Sequence, residues 1–492
     1  MRQTCKISSY ILFAMLTSSC IKAEKKQPPN ILFIAIDDLR PDLACYGNKY
    51  VKSPNLDQLA KEGALFTNHF TNIPTCGASR HSMLTGLYPK TTKQLGNAAS
   101  EHAFHKKNSS GMPETFIARI KKRGYHTIGI GKISHSTDGY IYKYKEQPSK
   151  IRELPNSWDE LLFDYSKWGT GWNAFFGYAN GENRQSLNKQ VKPYEIADVD
   201  DTGYIDGVTA NLAIKRLGQL KNEKKPFFLA VGFFKPHLPF NAPKKYWDLY
   251  NREDLPASSN PNIPKGVHKA SLHQSKEFNL YHCGDEHLDL THKASEEYSR
   301  KLHHAYYACI SYVDQQVGKV INELKKQGLD KNTIIVVWGD HGWHLGDQHV
   351  WGKHTLFENA LRSTLIIKDP RSKKSGVVIS NIVESVDLYP TICEIAEVPK
   401  PQNINGETMV PLLYGDTTRQ KNYAYGYFNK GVTLRNEQYR LIKYFRNEKP
   451  TIELYDHKTD PLEDENIAEQ NSNIIKQLLP ILEKGNTGLY GY

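Results

Sequence analysis

Apolar runs of strand length, each ending abruptly in residues capable of chemistry, constrain this chain more than any other feature. Asn30-Ile31-Leu32-Phe33-Ile34-Ala35-Ile36 runs without polar alternation straight into Asp37-Asp38. A strand of that kind is buried on both faces, the habit of parallel sheets covered by helices on either side. The pattern recurs at 125–130 before Gly131-Lys132, at 227–233 before Lys235-Pro236-His237, and at 333–338 before Gly339-Asp340-His341. Helical spacing of apolar residues over 114–123 and 297–327 separates these runs. Alternation of strands and helices predicts an α/β sheet with helices on both faces. Ligands of such sheets bind beyond the carboxyl ends of the strands, so four strand exits are expected to converge on one site.

A chain of 492 residues exceeds what one core usually fills. From about Gly415 the pattern changes to Tyr-rich alternation (432–434, 438–444, 452–456) and then a helix near 473–484, which predicts a small antiparallel sheet with a helix. The expected division is therefore a main domain over 28–414 and a C-terminal α+β subdomain over 415–492. Residues 251–292, rich in Pro, Ser, Asn and His, read as a long insertion, of the kind that is functional or mobile in a compact domain. At the N-terminus, Arg2 and Lys6 precede an apolar stretch at 10–16 and small residues up to Cys20, which predicts a signal peptide over 1–23. Cys20 follows a small residue, as in a lipoprotein signal, and cleavage after Ala23 is the alternative. Both imply export, to the periplasm, the cell surface as a lipoprotein, or the medium. No later apolar run reaches the roughly 20 residues that span a bilayer.

The 64 basic and 53 acidic residues leave a net charge of +11, which favours anionic partners. Nucleic acid fits poorly, because no Lys/Arg-rich helix, zinc-finger spacing or aromatic RNA-binding signature is present. Of seven cysteines, Cys5 and Cys20 belong to the export segment, leaving Cys45, Cys76, Cys283, Cys309 and Cys393. An odd number in an exported chain leaves at least one thiol unpaired or modified.

Cys76 stands in Pro74-Thr75-Cys76-Gly77-Ala78-Ser79-Arg80-His81-Ser82-Met83-Leu84-Thr85-Gly86. A thiolate phosphatase wraps its phosphate with five residues between Cys and Arg. Only three intervene here, which excludes that chemistry. The Asp37-Asp38 pair and Asp340-His341, at two strand exits, offer the oxygen-rich ligands of a hard cation, Ca²⁺ or Mg²⁺. His344, His349 and His354 crowd one loop and read as substrate donors or surface residues, not as a second metal site.

The run from Cys76 to Gly86 resembles the signature of the formylglycine-dependent type I sulfatases of the alkaline phosphatase superfamily. Gly131-Lys132-Ile133-Ser134-His135, Lys235-Pro236-His237-Leu238-Pro239-Phe240 and His341 are similar to the iduronate-2-sulfatase-like branch. Two departures stand out: Ala78 occupies a position where many members carry Pro, and 152–201 finds no counterpart. The resemblance implies a large mixed, mostly parallel sheet sandwiched by helices, and a sulfuric-ester hydrolase acting through formylglycine (3-oxoalanine) made from Cys76 by a maturation enzyme. It implies a metal held by Asp37, Asp38, residue 76, Asp340 and His341, and a sulfate held by Lys132, His237 and Lys353. Arg80 would support the formylglycine, His135 would accept a proton, and His237 would donate one to the leaving alcohol. The implied substrate is a sulfated polysaccharide or oligosaccharide, attacked from its end at a uronic-acid 2-sulfate or similar group. Algal glycans such as ulvan or carrageenan, and phosphate or phosphonate monoesters, are the alternatives.

Overall fold

The structure, a computed structural model, describes residues 28–105, 113–416, 418, 421–446 and 449–490. The expected signal segment, with Cys5 and Cys20, lies outside the described residues. Eight strands form the main sheet: β1 (Asn30–Ile36), β2 (Ala64–Phe70), β3 (His126–Gly131), β4 (Glu160–Leu162), β5 (Phe227–Phe233), β6 (Thr333–Gly339), β7 (Leu365–Lys368) and β8 (Val377–Glu384). Their order across the sheet is β8-β2-β7-β6-β1-β5-β3-β4. β7 is antiparallel to both its neighbours, and every other pairing is parallel. This is the large, mostly parallel mixed sheet expected from the sequence.

Strand alternation sends the side chains of β1 to two cores. Leu32, Ile34 and Ile36 join one cluster with helices α1 (Pro54–Glu62), α4 (Ile205–Leu220) and α5 (Glu296–Lys326). Ile31, Phe33 and Ala35 join another with α2 (Cys76–Thr85), α3 (Phe116–Lys122) and α6 (Leu388–Ile395). Every apolar residue of β1 is fully buried. Each such side chain contributes about 1.5–3 kcal/mol of hydrophobic stabilisation, which explains why the run tolerates no polar alternation.

Register aligns the strand exits. Ile36 pairs with Phe233 on one side and Gly339 on the other, and Gly131 pairs with Gly232. Asp37, Lys132, Phe234 and Asp340 therefore leave the sheet at one level. The 251–292 insertion holds only short 3₁₀ turns and otherwise irregular backbone.

A second sheet is a meander of β9 (Tyr423–Phe428), β10 (Gly431–Asn436), β11 (Tyr439–Tyr444) and β12 (Thr451–Asp456), covered by α7 (Ser472–Lys484). It meets the main sheet through buried polar groups. Asn72 Nδ2 and Tyr425 N both donate to Glu384 Oε1 at 2.8 Å, and Tyr427 N donates to Asn72 O at 2.8 Å. Fully buried Arg440 pairs with Glu358 and Glu463, so those two carboxylates beside His457 carry their own counter-charge.

Candidate active site

α2 begins at Cys76, immediately after Thr75 in extended conformation, and all ten of its residues are buried. Position 77 must be glycine, because a Cβ there would come within 2.1 Å of Asn97 O. Gly86 ends the helix at φ +67 and donates its N–H to Ser82 O, which accounts for the Leu-Thr-Gly close of the motif. Arg80, one turn along α2, ties three strand exits together. Its Nε donates to Asp340 Oδ2 at 2.9 Å, Nη2 to Asp37 Oδ1 at 3.1 Å, and Nη1 to Lys132 O and to Ile133 O. Ser79 Oγ donates to Asp340 O at 2.5 Å and accepts from Thr71 Oγ1 at 2.8 Å.

These contacts gather around Cys76. Its Sγ lies 3.3 Å from His341 Nε2 and 4.0 Å from Asp38 Oδ1. Burial, with Asp37 nearby, pushes the thiol up to about 12, so as a thiol it is protonated and unreactive at neutral pH. Lys132 Nζ pairs with Asp37 Oδ2, and Lys353 Nζ lies 3.0 and 3.2 Å from the Asp38 oxygens. Burial opposes both ammonium charges, but Asp37 and Asp38 raise the two lysines above their ordinary value. His237 Nδ1 is 2.6 Å from Leu238 O, and its Nε2 is 3.1 Å from Glu277 Oε1. Burial and Lys353 bring His237 down to about 4. His135 packs against Trp172 with ring centroids 5.2 Å apart, and its buried Nδ1 has no partner. Burial, then Lys132, drives it well below the usual imidazole value, so it is neutral at pH 7.

The ligands expected for a cation converge. Candidate ligand atoms of Asp37, Asp38, Cys76 and His237 lie within 4.8 Å of one another, as do those of Cys76, Asp340 and His341. His341 Nδ1 is 3.0 Å from Gly342 O, which turns the Nε2 lone pair toward Asp38 Oδ1, 3.4 Å away. Burial holds the Asp38 carboxyl well above its ordinary value, with Lys353 and His341 offsetting only part of the cost. Three buried aspartates and an inward imidazole nitrogen thus fit a divalent cation, whose charge would relieve Asp38.

All expected site residues are brought together. Two further groups carried no sequence signal. Glu277, from the long insertion, contacts His237 and lies 3.4 Å from Lys353. Asp206, on α4, accepts from Phe234 N at 2.7 Å and Lys235 N at 2.9 Å and so fixes the exit of β5. The loop histidines stay apart: His344 Nε2 bonds Thr355 Oγ1 at 2.7 Å, His354 stacks on Phe428, and among the described residues no metal cluster includes them. All five cysteines among the described residues are free thiols.

A family model described as "Sulfatase" matches residues 29–398, and one described as "N-sulphoglucosamine sulphohydrolase, C-terminal" matches 339–486. A sulfatase of Formosa agariphila is 31% identical over 93% of this chain and 88% of its own length. The mouse iduronate 2-sulfatase is 32% identical over 76% of this chain and 69% of its own length. The solved phosphonate monoester hydrolase of Silicibacter pomeroyi superimposes with a TM-score of 0.74 at 22% identity, covering 94% of this chain and 96% of its own.

Proposed function

This chain belongs to the sulfatase family and is a sulfuric-ester hydrolase, and from that premise we propose that it removes the 2-sulfate of a terminal uronic acid, or a similarly placed group, from a sulfated oligosaccharide or polysaccharide. The observation that carries the reading is the ring of Lys132, His135, His237 and Lys353 around Cys76, set against the carboxylates of Asp37, Asp38 and Asp340. The curated relatives named for iduronate 2-sulfate support the choice of sugar. Action at a chain end suits a reacting centre whose groups are almost wholly buried.

We assign residue 76 to formylglycine, made by a maturation enzyme. Its hydrate supplies one hydroxyl that displaces the sugar alcohol from sulfur and a second whose deprotonation releases sulfate and restores the aldehyde. Asp37, Asp38, residue 76, Asp340 and His341 would hold a divalent cation, Ca²⁺ or Mg²⁺, which would supply charge that lowers the pKa of a neighbouring hydroxyl. Lys132 and Lys353 stand on either side of residue 76 and counter the charge that develops on sulfate oxygens. Arg80 holds Asp37, which faces Lys132, together with Asp340. His135, neutral, accepts the proton of the second hydroxyl. At His237 the ring is bracketed by two acceptors, Leu238 O and Glu277 Oε1, a pairing that a fully protonated imidazolium would satisfy. Burial and Lys353 disfavour that cation and Glu277 favours it, so the imidazolium forms when the anionic sulfate ester adds its charge beside the ring, and it then gives up its Nε2 proton to the departing alkoxide. The N-terminal signal reading puts the enzyme in the periplasm, on the cell surface with Cys20 as a lipid anchor, or, with cleavage after Ala23 instead, free of an anchor.

Mass spectrometry of the Cys76 peptide, from a host that has the maturation enzyme, is expected to show aldehyde in place of thiol. Sulfate release is then measured on terminal uronate 2-sulfates, ulvan and carrageenan oligosaccharides. A fully active protein with an intact thiol refutes the mechanism, and release only from the algal glycans refutes the sugar assignment. The fold shared with a phosphonate monoester hydrolase supports a second reading, decided by the ratio of rates on aryl sulfate and aryl phosphonate.

A further inference from the structure

Arg184 lies in the 152–201 stretch, for which the sequence offered no role. It is only 4% exposed. Other buried arginines are neutralised: Arg80 by Asp37 and Asp340, Arg216 by Glu160 and Glu223, Arg440 by Glu358 and Glu463. Arg184 is different, because among the described residues no carboxylate forms an ion pair with it and its Nε has no hydrogen-bond partner. Its guanidinium lies flat against aromatic rings, 3.7 Å from the Phe176 centroid and 5.2 Å from that of Tyr281, with one long contact of 3.5 Å to Tyr281 Oη. A buried cation without a counter-charge is costly, and a planar fork of donors suits an oxyanion.

The aromatic wall shows which space it borders. Phe175 and Phe176 pack with centroids 4.4 Å apart. Phe175 carries Lys132 Nζ at 4.4 Å and His237 at 4.6 Å, while Phe176 carries Arg184. Two packed rings thus separate Arg184 from Lys132, and one, Phe176, separates it from His237, whose ring centroid is 6.4 Å from that of Phe176. Tyr144 packs on Trp172 and Phe176 and is 40% exposed, so it stands at the opening. Burial raises its phenol, and the Arg184 and Lys132 charges oppose that rise. Arg184 and the Lys132 and His237 side chains therefore share one aromatic wall of Phe175 and Phe176.

We propose that Arg184 is an anion subsite that receives a second oxyanion of the same terminal sugar, a carboxylate or a second sulfate, and so selects doubly anionic sugars. The proposal deepens the sulfatase reading and rests on it. Affinity is measured by calorimetry on protein carrying Cys76→Ala, which needs no turnover. The ligands are a terminal 2-sulfated uronate disaccharide, its carboxyl-reduced counterpart, 2-N,6-O-disulfated glucosamine, and 4-nitrophenyl sulfate as a single anion. Arg184→Gln is expected to weaken a doubly anionic sugar at least about tenfold, the loss of a charge-assisted bond. Binding of 4-nitrophenyl sulfate should change less than about threefold. Arg184→Lys, which keeps charge but loses the fork, should fall between. If the carboxyl-reduced sugar is indifferent to Arg184, the anion is the carboxylate. If the disulfated glucosamine alone is weakened, it is the second sulfate. Equal weakening of all four ligands, or of none, with unfolding temperatures unchanged, overturns the proposal. In parallel, turnover of 4-nitrophenyl sulfate by the Cys76 enzyme tests the sulfatase reading separately.

Discussion

Arg80→Lys isolates what a planar guanidinium contributes beyond its charge. The native side chain meets four acceptors from three strand exits, two of them carboxylates, and is fully buried. An ammonium at the same place keeps the charge but reaches at most about two of these acceptors, leaving two charge-assisted bonds unmade. Each is worth about 1.5–3 kcal/mol, and breaking a buried pair costs about 3–5 kcal/mol, so a loss of about 3–5 kcal/mol is expected. Against a typical total of about 5–15 kcal/mol the variant still folds. Asp37 and Asp340 lose their shared brace, and a misplacement of about 1 Å costs on the order of 100-fold in rate. Urea unfolding gives the first quantity, and kcat/KM on an aryl sulfate the second. Asp340→Asn removes one of the same carboxylates, so the double variant should cost less than the sum of the singles by about 0.5–3 kcal/mol. Unfolding within about 1 kcal/mol of the native protein, together with activity within about threefold, would show that Arg80 acts as a charge alone.

His135→Ala should release one equivalent of alcohol at near-native rate and then slow by about 10²–10⁴-fold, measured as a burst in stopped-flow absorbance. Because burial and Lys132 hold His135 well below the ordinary imidazole pKa, its base form persists into mildly acidic buffer. The acid limb of kcat that it sets should therefore lie below pH 6.5, and a limb above that value would contradict the assignment. Exhaustive chelation should abolish turnover and lower the unfolding temperature, with Ca²⁺ or Mg²⁺ restoring both. At a free ion concentration about 100 times Kd the stabilisation is about 2.7 kcal/mol. Full activity after chelation would remove the cation from the site.

Glu277 and Arg184 show where sequence reading stops. Strand exits were legible because a run buried on both faces has to be apolar, so its end is marked by the first charged residue; β1 to Asp37, β5 to Phe233 and β6 to Gly339 follow that rule closely. The helix boundaries at 116–122 and 296–326 likewise follow the apolar period, and Ser295 marks the start of α5 by accepting from Tyr298 N. No periodicity governs an irregular insertion. Glu277 sits beside a 3₁₀ turn and acquires meaning only when the fold carries it to His237 and Lys353. Arg184 is marked by what it lacks, a carboxylate partner, and a missing contact is a property of three dimensions.

The same distinction separates the two halves of the active site. Asp37, Lys132 and Asp340 come from sheet exits held in register by hydrogen bonds, and Arg80 braces them from α2. Tyr144, Arg184 and Glu277 come from segments free of that register. A sheet permits little change at its exits without moving several strands, whereas loop side chains can be exchanged at small cost to the core. The proposed chemistry is therefore legible from the sheet, while the proposed choice of sugar rests on the loops. Substitution of Arg184 should alter which sugar is bound and leave the chemistry at residue 76 in place.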